Sequence, residues 1–203
     1  GDTDYASATV SQLITINKTT PTLTFNSANT LSVEAALTAA VSTSATYGRG
    51  GSITFLVTAG SGSATVDSVT GYLTAVSSGT VTLVATSAGD SDYFPATGNQ
   101  LIIITQVTPT LTITSSNSMV VDQALTATFT TTATASDGGA ITFAISAGSG
   151  SATVNPSTGQ IVAVGAGTVT LLASAAGDTN YYSTNISLEI TIGMSTPTFT
   201  ITS

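Results

Sequence analysis

The sequence predicts an all-β chain of two-layer β-sandwich domains arranged end to end, and three observations lead to that prediction. Hydrophobic residues make up 41% of the 203 residues and charged residues only 6%, against roughly a quarter charged in an ordinary soluble domain. β-Branched residues are abundant, and Gly, Asn and Asp separate short segments in which apolar and polar residues alternate. The same pattern recurs along the chain at a fixed spacing of 88 residues.

The repeat sets the expected domain boundaries. Thr-Pro-Thr begins at positions 20, 108 and 196, and Gly-Asp begins at positions 1, 89 and 177. Residues 21–108 align with 109–196 without a gap, and roughly half of the paired positions are identical. This length is typical of one independently folding sandwich, whereas a solenoid turn has about 20–45 residues. We therefore expect the last strand of a preceding repeat at 1–20, complete repeats at 21–108 and 109–196, and the first strand of a following repeat at 197–203.

The period-two alternation within each repeat predicts the core, and the proline at each boundary predicts a short, stiff junction. The expected core of the first repeat is Leu37, Ala39, Val41, Ile53, Phe55, Val57, Val81, Leu83, Ala85, Ile102 and Ile104. The matching positions of the second repeat are Leu125, Ala127, Phe129, Ile141, Phe143, Ile145, Val169, Leu171, Ala173, Ile190 and Ile192. Leu101 and Ile103 fall on the opposite face, where the second repeat has Glu189 and Thr191, so the first repeat is expected to expose or bury an additional apolar patch.

The charge balance excludes several functions. The net charge is −8, and Lys18 and Arg49 are the only cationic residues. Two cations cannot neutralise a phosphate backbone, so we expect no nucleic-acid partner. No apolar run approaches the ~18 residues of a membrane helix, so membrane insertion is not expected. The absence of Cys and His removes thiolate catalysis, Ser-His nucleophile systems and most zinc sites.

Motifs in the middle of each repeat resemble a known family. Ala64-Thr-Val-Asp67, Thr70-Gly71-Tyr-Leu-Thr-Ala-Val76 and Gly79-Thr-Val-Thr-Leu-Val-Ala85 resemble the bacterial immunoglobulin-like group 2 pattern, and the second repeat matches with Asn155 in place of the Asp. The resemblance covers nearly all of the chain and implies immunoglobulin-like sandwiches. Together with the Gly-Asp-x-x-Tyr and Thr-Pro-Thr motifs, the array is also similar to repeats of giant surface adhesins of Bacteroidota, including gliding-motility adhesins.

That resemblance implies a role and a location. The chain would be a set of stalk repeats that space and stiffen a filament on the extracellular surface of a bacterial cell. Its partners would be neighbouring repeats of the same chain, with surface glycans or cell-envelope proteins as further candidates. Two alternatives stay open: a glycan- or protein-binding module using exposed Tyr47, Tyr72 and Tyr182, and an accessory domain of a secreted glycosidase.

The Gly-Asp-x-(Asp/Asn)-Tyr motif has two interpretations. Closely spaced carboxylates in a turn can supply oxygen ligands to calcium. Alternatively, the Asp accepts hydrogen bonds from local backbone N–H groups and the Tyr covers the end of the core; the motif alone lacks the six or so oxygens of a calcium site, which favours this turn interpretation. The motif occurs as Asp2, Asp4 and Tyr5, as Asp90, Asp92 and Tyr93, and as Asp178, Asn180 and Tyr181, with Asp90, Asp92 and Asp178 as the candidate metal ligands.

Other polar residues give weaker indications. Acid–base catalysis by two carboxylates needs both at one cleft, whereas the remaining acidic residues are scattered, so we expect no enzymatic activity; they are Glu34, Asp67, Asp122, Asp137 and Glu189. Arg49 lies in a Gly-rich stretch typical of an exposed loop tip. Asp67-Ser68-Val69 resembles the acceptor motif of Bacteroidota O-glycosylation, which makes Ser68 a candidate modification site.

Overall fold

The structure is a computed structural model that describes residues 3–46, 48–131, 138–197 and 199. This part of the chain is all-β. Within these ranges no helix reaches the length and hydropathy needed to cross a membrane. The strands of residues 21–108 are β1 Leu23–Phe25, β2 Thr30–Ser32, β3 Ala36–Thr38, β4 Val41–Thr43, β5 Ile53–Ala59, β6 Ser63–Val66, β7 Tyr72–Ser77, β8 Gly79–Ser87 and β9 Ala96–Thr105. Those of residues 109–196 are β10 Leu111–Ile113, β11 Ser118–Val120, β12 Ala124–Thr126, β13 Phe129–Thr131, β14 Ile141–Ala147, β15 Ser151–Val154, β16 Gln160–Gly165, β17 Gly167–Ala175 and β18 Thr184–Gly193.

Both repeats have the same strand topology. In the first, a four-stranded sheet has the order β2-β9-β8-β5, a three-stranded sheet has the order β3-β7-β6, and β1 pairs with β4. The second repeats this arrangement as β11-β18-β17-β14, β12-β16-β15 and β10-β13. No strand pair of the described sheets joins the two repeats, so each forms its own set of sheets.

The short β1–β4 ladder continues the three-stranded sheet. Only two residues separate β3 from β4, and the Ala39 N–H donates to the Gly71 carbonyl while the Asn26 N–H donates to the Ala40 carbonyl. β3 and β4 therefore act as one interrupted strand between β1 and β7. The resulting layers correspond to strands A, B, E and D facing C, F and G, which is the immunoglobulin arrangement.

One strand pair in each repeat is parallel, whereas the other strand pairs are antiparallel. β2 lies parallel to β9, with Thr30 opposite Ile103 and Ser32 opposite Thr105, and β11 lies parallel to β18. The strands are too short for the alternation of apolar residues to define them. After β1 the chain crosses to the opposite layer, where the three residues of β2 pair with β9. The beginning of each repeat is thereby hydrogen-bonded to its last strand.

Each repeat has its own hydrophobic core. The buried cluster of the first comprises Val33, Ala39, Leu73, Ala75, Val81, Leu83, Ile102 and Ile104. That of the second comprises Leu111, Met119, Ala127, Phe143, Ile161, Ala163, Val169, Leu171, Ala173, Ile190 and Ile192. The alternation thus predicted most of both cores but missed Leu73 and Ala75 on β7 and Ile161 and Ala163 on β16. Phe129, which was expected in the core, is 37% exposed. Phe129 is exposed because β13 lies in the two-stranded ladder at the margin of the sandwich. Its ring contacts that of Phe143, with the ring centroids 5.9 Å apart.

The flanking segments behave differently from the repeats. Residues 6–18 are exposed and belong to no strand, and Thr19 makes an isolated bridge to Tyr93. Their assignment to the last strand of a preceding repeat therefore stays a prediction. Most of 197–203, assigned to a following repeat, lies outside the described residues. The junction prolines Pro21 and Pro109 are both buried, which restricts the chain where one repeat meets the next.

Candidate functional site at the junction between repeats

The turn between the last two strands of each repeat is held by one carboxylate. Asp90 Oδ1 accepts hydrogen bonds from the N–H groups of Asp92 (2.8 Å) and Tyr93 (2.9 Å), and its Oδ2 accepts one from the Gly50 N–H (2.6 Å). The first two bonds close the β8–β9 turn. The third ties the turn to the loop between β4 and β5, so Asp90 connects two loops at one end of the sandwich.

The second repeat reproduces this arrangement. Asp178 Oδ1 accepts from the N–H groups of Asn180 (2.7 Å) and Tyr181 (2.9 Å), and Oδ2 accepts from the Gly138 N–H (2.6 Å). Hydrogen bonds to the ionised form favour it. The bond from Gly138 is the largest of the effects that lower the pKa of Asp178, and the bond from Gly50 is the largest of those that lower the pKa of Asp90.

The tyrosine of the motif extends the same network in the first repeat. The Thr46 N–H donates to the Tyr93 hydroxyl at 3.2 Å, and the Thr46 hydroxyl lies 3.1 Å from the same oxygen. Hydrogen bonding by the Thr46 side chain, followed by its backbone, lowers the pKa of Tyr93. Tyr181 is 2% exposed. The Asp of each motif accepts local backbone hydrogen bonds, as the turn interpretation describes.

Calcium binding at this turn has no preformed site in the described residues. No group of three Asp or Glu side chains gathers around one point in that part of the chain. The carboxylate oxygens of Asp90 and Asp178 already accept backbone hydrogen bonds, and Asp92 pairs with Arg49. Asp2 lies outside the described residues. Calcium at Asp90, Asp92 and Asp178 stays a prediction, which calorimetric titration of the chain with calcium tests; no heat of binding would reject it.

The turn does something that the sequence did not predict: it binds the linker that precedes its own repeat. Val107 forms a parallel bridge to Tyr181, donating from its N–H to the Asn180 carbonyl (3.0 Å) and accepting from the Tyr182 N–H (2.9 Å). At the preceding junction, Thr19 donates to the Asp92 carbonyl (3.3 Å) and accepts from the Phe94 N–H (2.9 Å).

The linker residue just before each bridge adds a side-chain bond. Lys18 Nζ donates to the Asp90 carbonyl at 2.7 Å and lies 5.9 Å from the centre of the Phe94 ring. Gln106 Nε2 occupies the equivalent place and donates to the Asp178 (2.8 Å) and Thr179 (3.0 Å) carbonyls. The linker is therefore docked by backbone and side-chain bonds. The only sign of this docking in the sequence was the fixed spacing between Thr-Pro-Thr and Gly-Asp-x-x-Tyr. That spacing can be interpreted as a contact only once the fold is known.

A further contact joins the body of the first repeat to the second. Ser78, in the β7–β8 turn, donates from its N–H to Asn180 Oδ1 (3.0 Å) and from its hydroxyl to the Thr179 carbonyl (2.5 Å). The turn that binds the linker thus also receives the far end of the preceding repeat. Asn180 serves both contacts, one through its backbone and one through its side chain.

Two other residues that the sequence analysis named are Arg49, which contacts the turn, and Ser68, which lies away from the junction. Arg49 is exposed in the loop between β4 and β5, as expected, and its side chain pairs with Asp92. Ser68 is exposed in the β6–β7 turn, where Asp67 Oδ1 accepts from the N–H groups of Val69 (3.0 Å) and Thr70 (2.7 Å). Ser68 as a glycosylation site stays a prediction, which intact-mass analysis of natively produced protein tests; an unmodified mass would reject it.

The remaining candidates that lie in the described residues are found at separate places in the fold. Glu34 and Asp122 occupy equivalent positions after β2 and β11 with left-handed backbones, at φ 66° and 69°, so they are turn residues. Tyr72 and Tyr182 are each 52% exposed but belong to different repeats. Tyr47 and Asp137 lie outside the described residues.

Comparisons with known proteins give distant structural likenesses. No family model matches the chain, and no curated protein matches it. The fibronectin(III)-like modules of Clostridium thermocellum CbhA are 16% identical at a TM-score of 0.32, covering 85% of this chain and 95% of theirs. A C-terminal intimin fragment in complex with the intimin-binding domain of its translocated receptor is 16% identical at 0.30, covering 84% and 63%. Immunoglobulin domains 1–5 of Sidekick-1 are 18% identical at 0.35, covering 87% and 40%. With TM-scores below 0.5, none of these carries weight, and the immunoglobulin-like fold rests on the strand topology above.

Proposed function

We propose that this chain is a load-bearing spacer: tandem immunoglobulin-like repeats that extend and stiffen a bacterial cell-surface adhesin, with no catalytic role. The observation that supports this most is the junction. Each linker is hydrogen-bonded to the turn between the last two strands of the following repeat. A docked linker fixes the direction in which one repeat follows the next, which a spacer needs and an isolated binding module does not.

The parallel strand pair suits a chain that is pulled from its ends. Tension enters a repeat at β1, reaches β2 and leaves the repeat after β9. Because β2 and β9 are parallel neighbours, pulling on the start of one and the end of the other shears their hydrogen bonds together. Two bonds beside the ladder add to the resistance: the Val33 N–H donates to the Thr105 carbonyl (3.0 Å), and the Ile103 N–H donates to the Asn29 carbonyl (2.9 Å).

Single-molecule pulling on the chain tests this function. We expect two unfolding events, each releasing about 25 nm, the extended length of some 80 residues minus the folded unit. Val33→Pro and Val121→Pro form a matched pair, because each removes one N–H donor beside the parallel ladder of its own repeat. Each should lower the unfolding force of one event and spare the other. Unfolding of the unmodified repeats at negligible force would reject a mechanical role.

One observation favours a second candidate, a binding module. On the outer face of the four-stranded sheet, Leu56, Leu101 and Ile103 are 61%, 56% and 42% exposed. Exposed apolar surface of this kind marks interaction sites when it is contiguous. The second repeat has Ala144, Glu189 and Thr191 at these positions. Probing a glycan array with the chain separates the candidates: a specific glycan signal would favour the binding module.

A further inference from the structure

A cavity of about 410 Å³ lies at the outer end of the first repeat, beside the β8–β9 turn. Linker residues 16–19 form one wall, and Thr46, Arg49 and Ser91 to Tyr93 form the rest. Both cationic residues of the chain, Lys18 and Arg49, line it. Neither the linker docking nor the core of the repeat accounts for an open space at this place.

The equivalent place one repeat further along is occupied. Ser91 and Asp92 correspond to Thr179 and Asn180 at the spacing of 88. There the β7–β8 turn of the preceding repeat is seated, with Ser78 bonding to the Thr179 carbonyl and to the Asn180 side chain. At these two positions, the structure therefore has a bound turn in the second repeat and an open cavity in the first.

We propose that this cavity is the socket for the β7–β8 turn of another repeat of this type placed before residue 1, which would make the junction self-propagating. The inference rests on the proposed spacer function and names the partner of the junction site. Asp92 Oδ2 is paired with Arg49, so Oδ1 is the oxygen that would accept the backbone N–H, as Asn180 Oδ1 does at the other junction; a carboxylate is a stronger acceptor than an amide. The chemistry required of the occupant is a tight turn that presents one free N–H and one small hydroxyl, as Ser77 to Gly79 does.

The repeat period allows a direct test. Residues 1–20 correspond to 89–108, so a copy of residues 21–88 fused directly before Gly1 completes a third repeat in register. The chain contains no cysteine, which makes introduced thiols unambiguous. Ser78→Cys in the added copy with Ser91→Cys probes the proposed contact. Ser78→Cys in the original chain with Thr179→Cys probes the contact already present, and both pairs leave Asp92 and Asn180 intact.

A third pair provides the negative control. Ser149 lies beside Thr168, near the start of β17, at the opposite end of that strand from the Asp178 turn. Ser78→Cys with Ser149→Cys should therefore remain uncrosslinked by a short thiol-to-thiol reagent. Peptide mapping by mass spectrometry measures the crosslinked fraction in all three proteins. We expect the added pair to crosslink as extensively as the Ser78–Thr179 pair.

The outcomes separate the two proposals. If the Ser78–Thr179 pair crosslinks and the added pair stays at the control level, the socket is wrong and the spacer function stands. If neither pair crosslinks, the docked junction itself is wrong and both proposals fall. If the added pair fails while inorganic phosphate shifts the amide resonances of Lys18 and Arg49 in the unmodified chain, the cavity is an anion site and the inference is overturned.

Discussion

Replacing Leu171 with alanine should destabilise one repeat and leave the other unchanged. Leu171 is fully buried in the second core, and Leu83 is its fully buried counterpart in the first. Leu→Ala at buried sites costs about 2–5 kcal/mol, depending on how far the cavity collapses. Two sheets that are hydrogen-bonded along their length limit such collapse, so we expect about 3 kcal/mol. For a domain of this size that is a fall in Tm of about 12–24 °C.

Urea titration followed through amide resonances measures each repeat separately. In Leu171→Ala the signals of residues 111–192 should disappear at lower urea, while those of residues 23–105 keep their midpoint. Leu83→Ala, the matched variant, should give the reverse. The reasoning depends on two clusters that share no residue. A single transition that moves as a whole in both variants would refute independent cores.

Three further predictions concern the turns and the exposed sheet. Hydrogen bonds lower the pKa of Asp90 and of Asp178 in the folded state, so the stability that these carboxylates give the fold is complete above their unfolded-state pKa and is lost as the pH falls through the folded-state pKa. The Tm of the chain should therefore drop in acid, and it should drop less steeply in the double variant Asp90→Asn with Asp178→Asn. An equally steep drop in that variant would contradict this prediction. Gly51→Ala should destabilise the first repeat far more than Gly48→Ala in urea titration: both glycines have left-handed backbones, which costs about 1–2 kcal/mol for alanine, but only at Gly51 would the added Cβ press on the Gly89 carbonyl. Leu101→Glu, which copies Glu189 of the second repeat, should reduce any concentration-dependent self-association seen by light scattering and leave Tm nearly unchanged; a large loss of Tm would mean that Leu101 is packed.

The sequence was sufficient for the repeat and for the part of the core that lies on the long strands, for a physical reason. Alternation along β5, β8 and β9 is dictated by burial of one face, so Phe55, Leu83 and Ile102 could be assigned from spacing alone. The short strands gave no such signal. Residues 30–32 are Thr-Leu-Ser, and their pairing with β9 depends on where the chain crosses between layers, which no local pattern encodes.

The candidate site was predicted only in part. Gly-Asp-x-x-Tyr was recognisable as a turn because Asp commonly bonds to nearby backbone N–H groups. Its second role, which is to bind the linker that precedes the repeat, depends on residues about 70 positions away, such as Lys18 and Gln106. Their contacts with the turn exist only after the sandwich has formed. The ion pair of Arg49 with Asp92 could not be predicted for the same reason, since the two residues are distant in sequence.

The distance between the two repeats tests the docked junction most directly. Val76 and Val164 occupy equivalent positions on β7 and β16 and are 51% and 56% exposed, so Val76→Cys with Val164→Cys places one nitroxide label on each repeat of a chain without native cysteine. Pulsed dipolar spectroscopy should give one narrow distance distribution, which Gln106→Gly with Ser78→Gly broadens. A distribution in the parent as broad as that of a free linker would contradict the account.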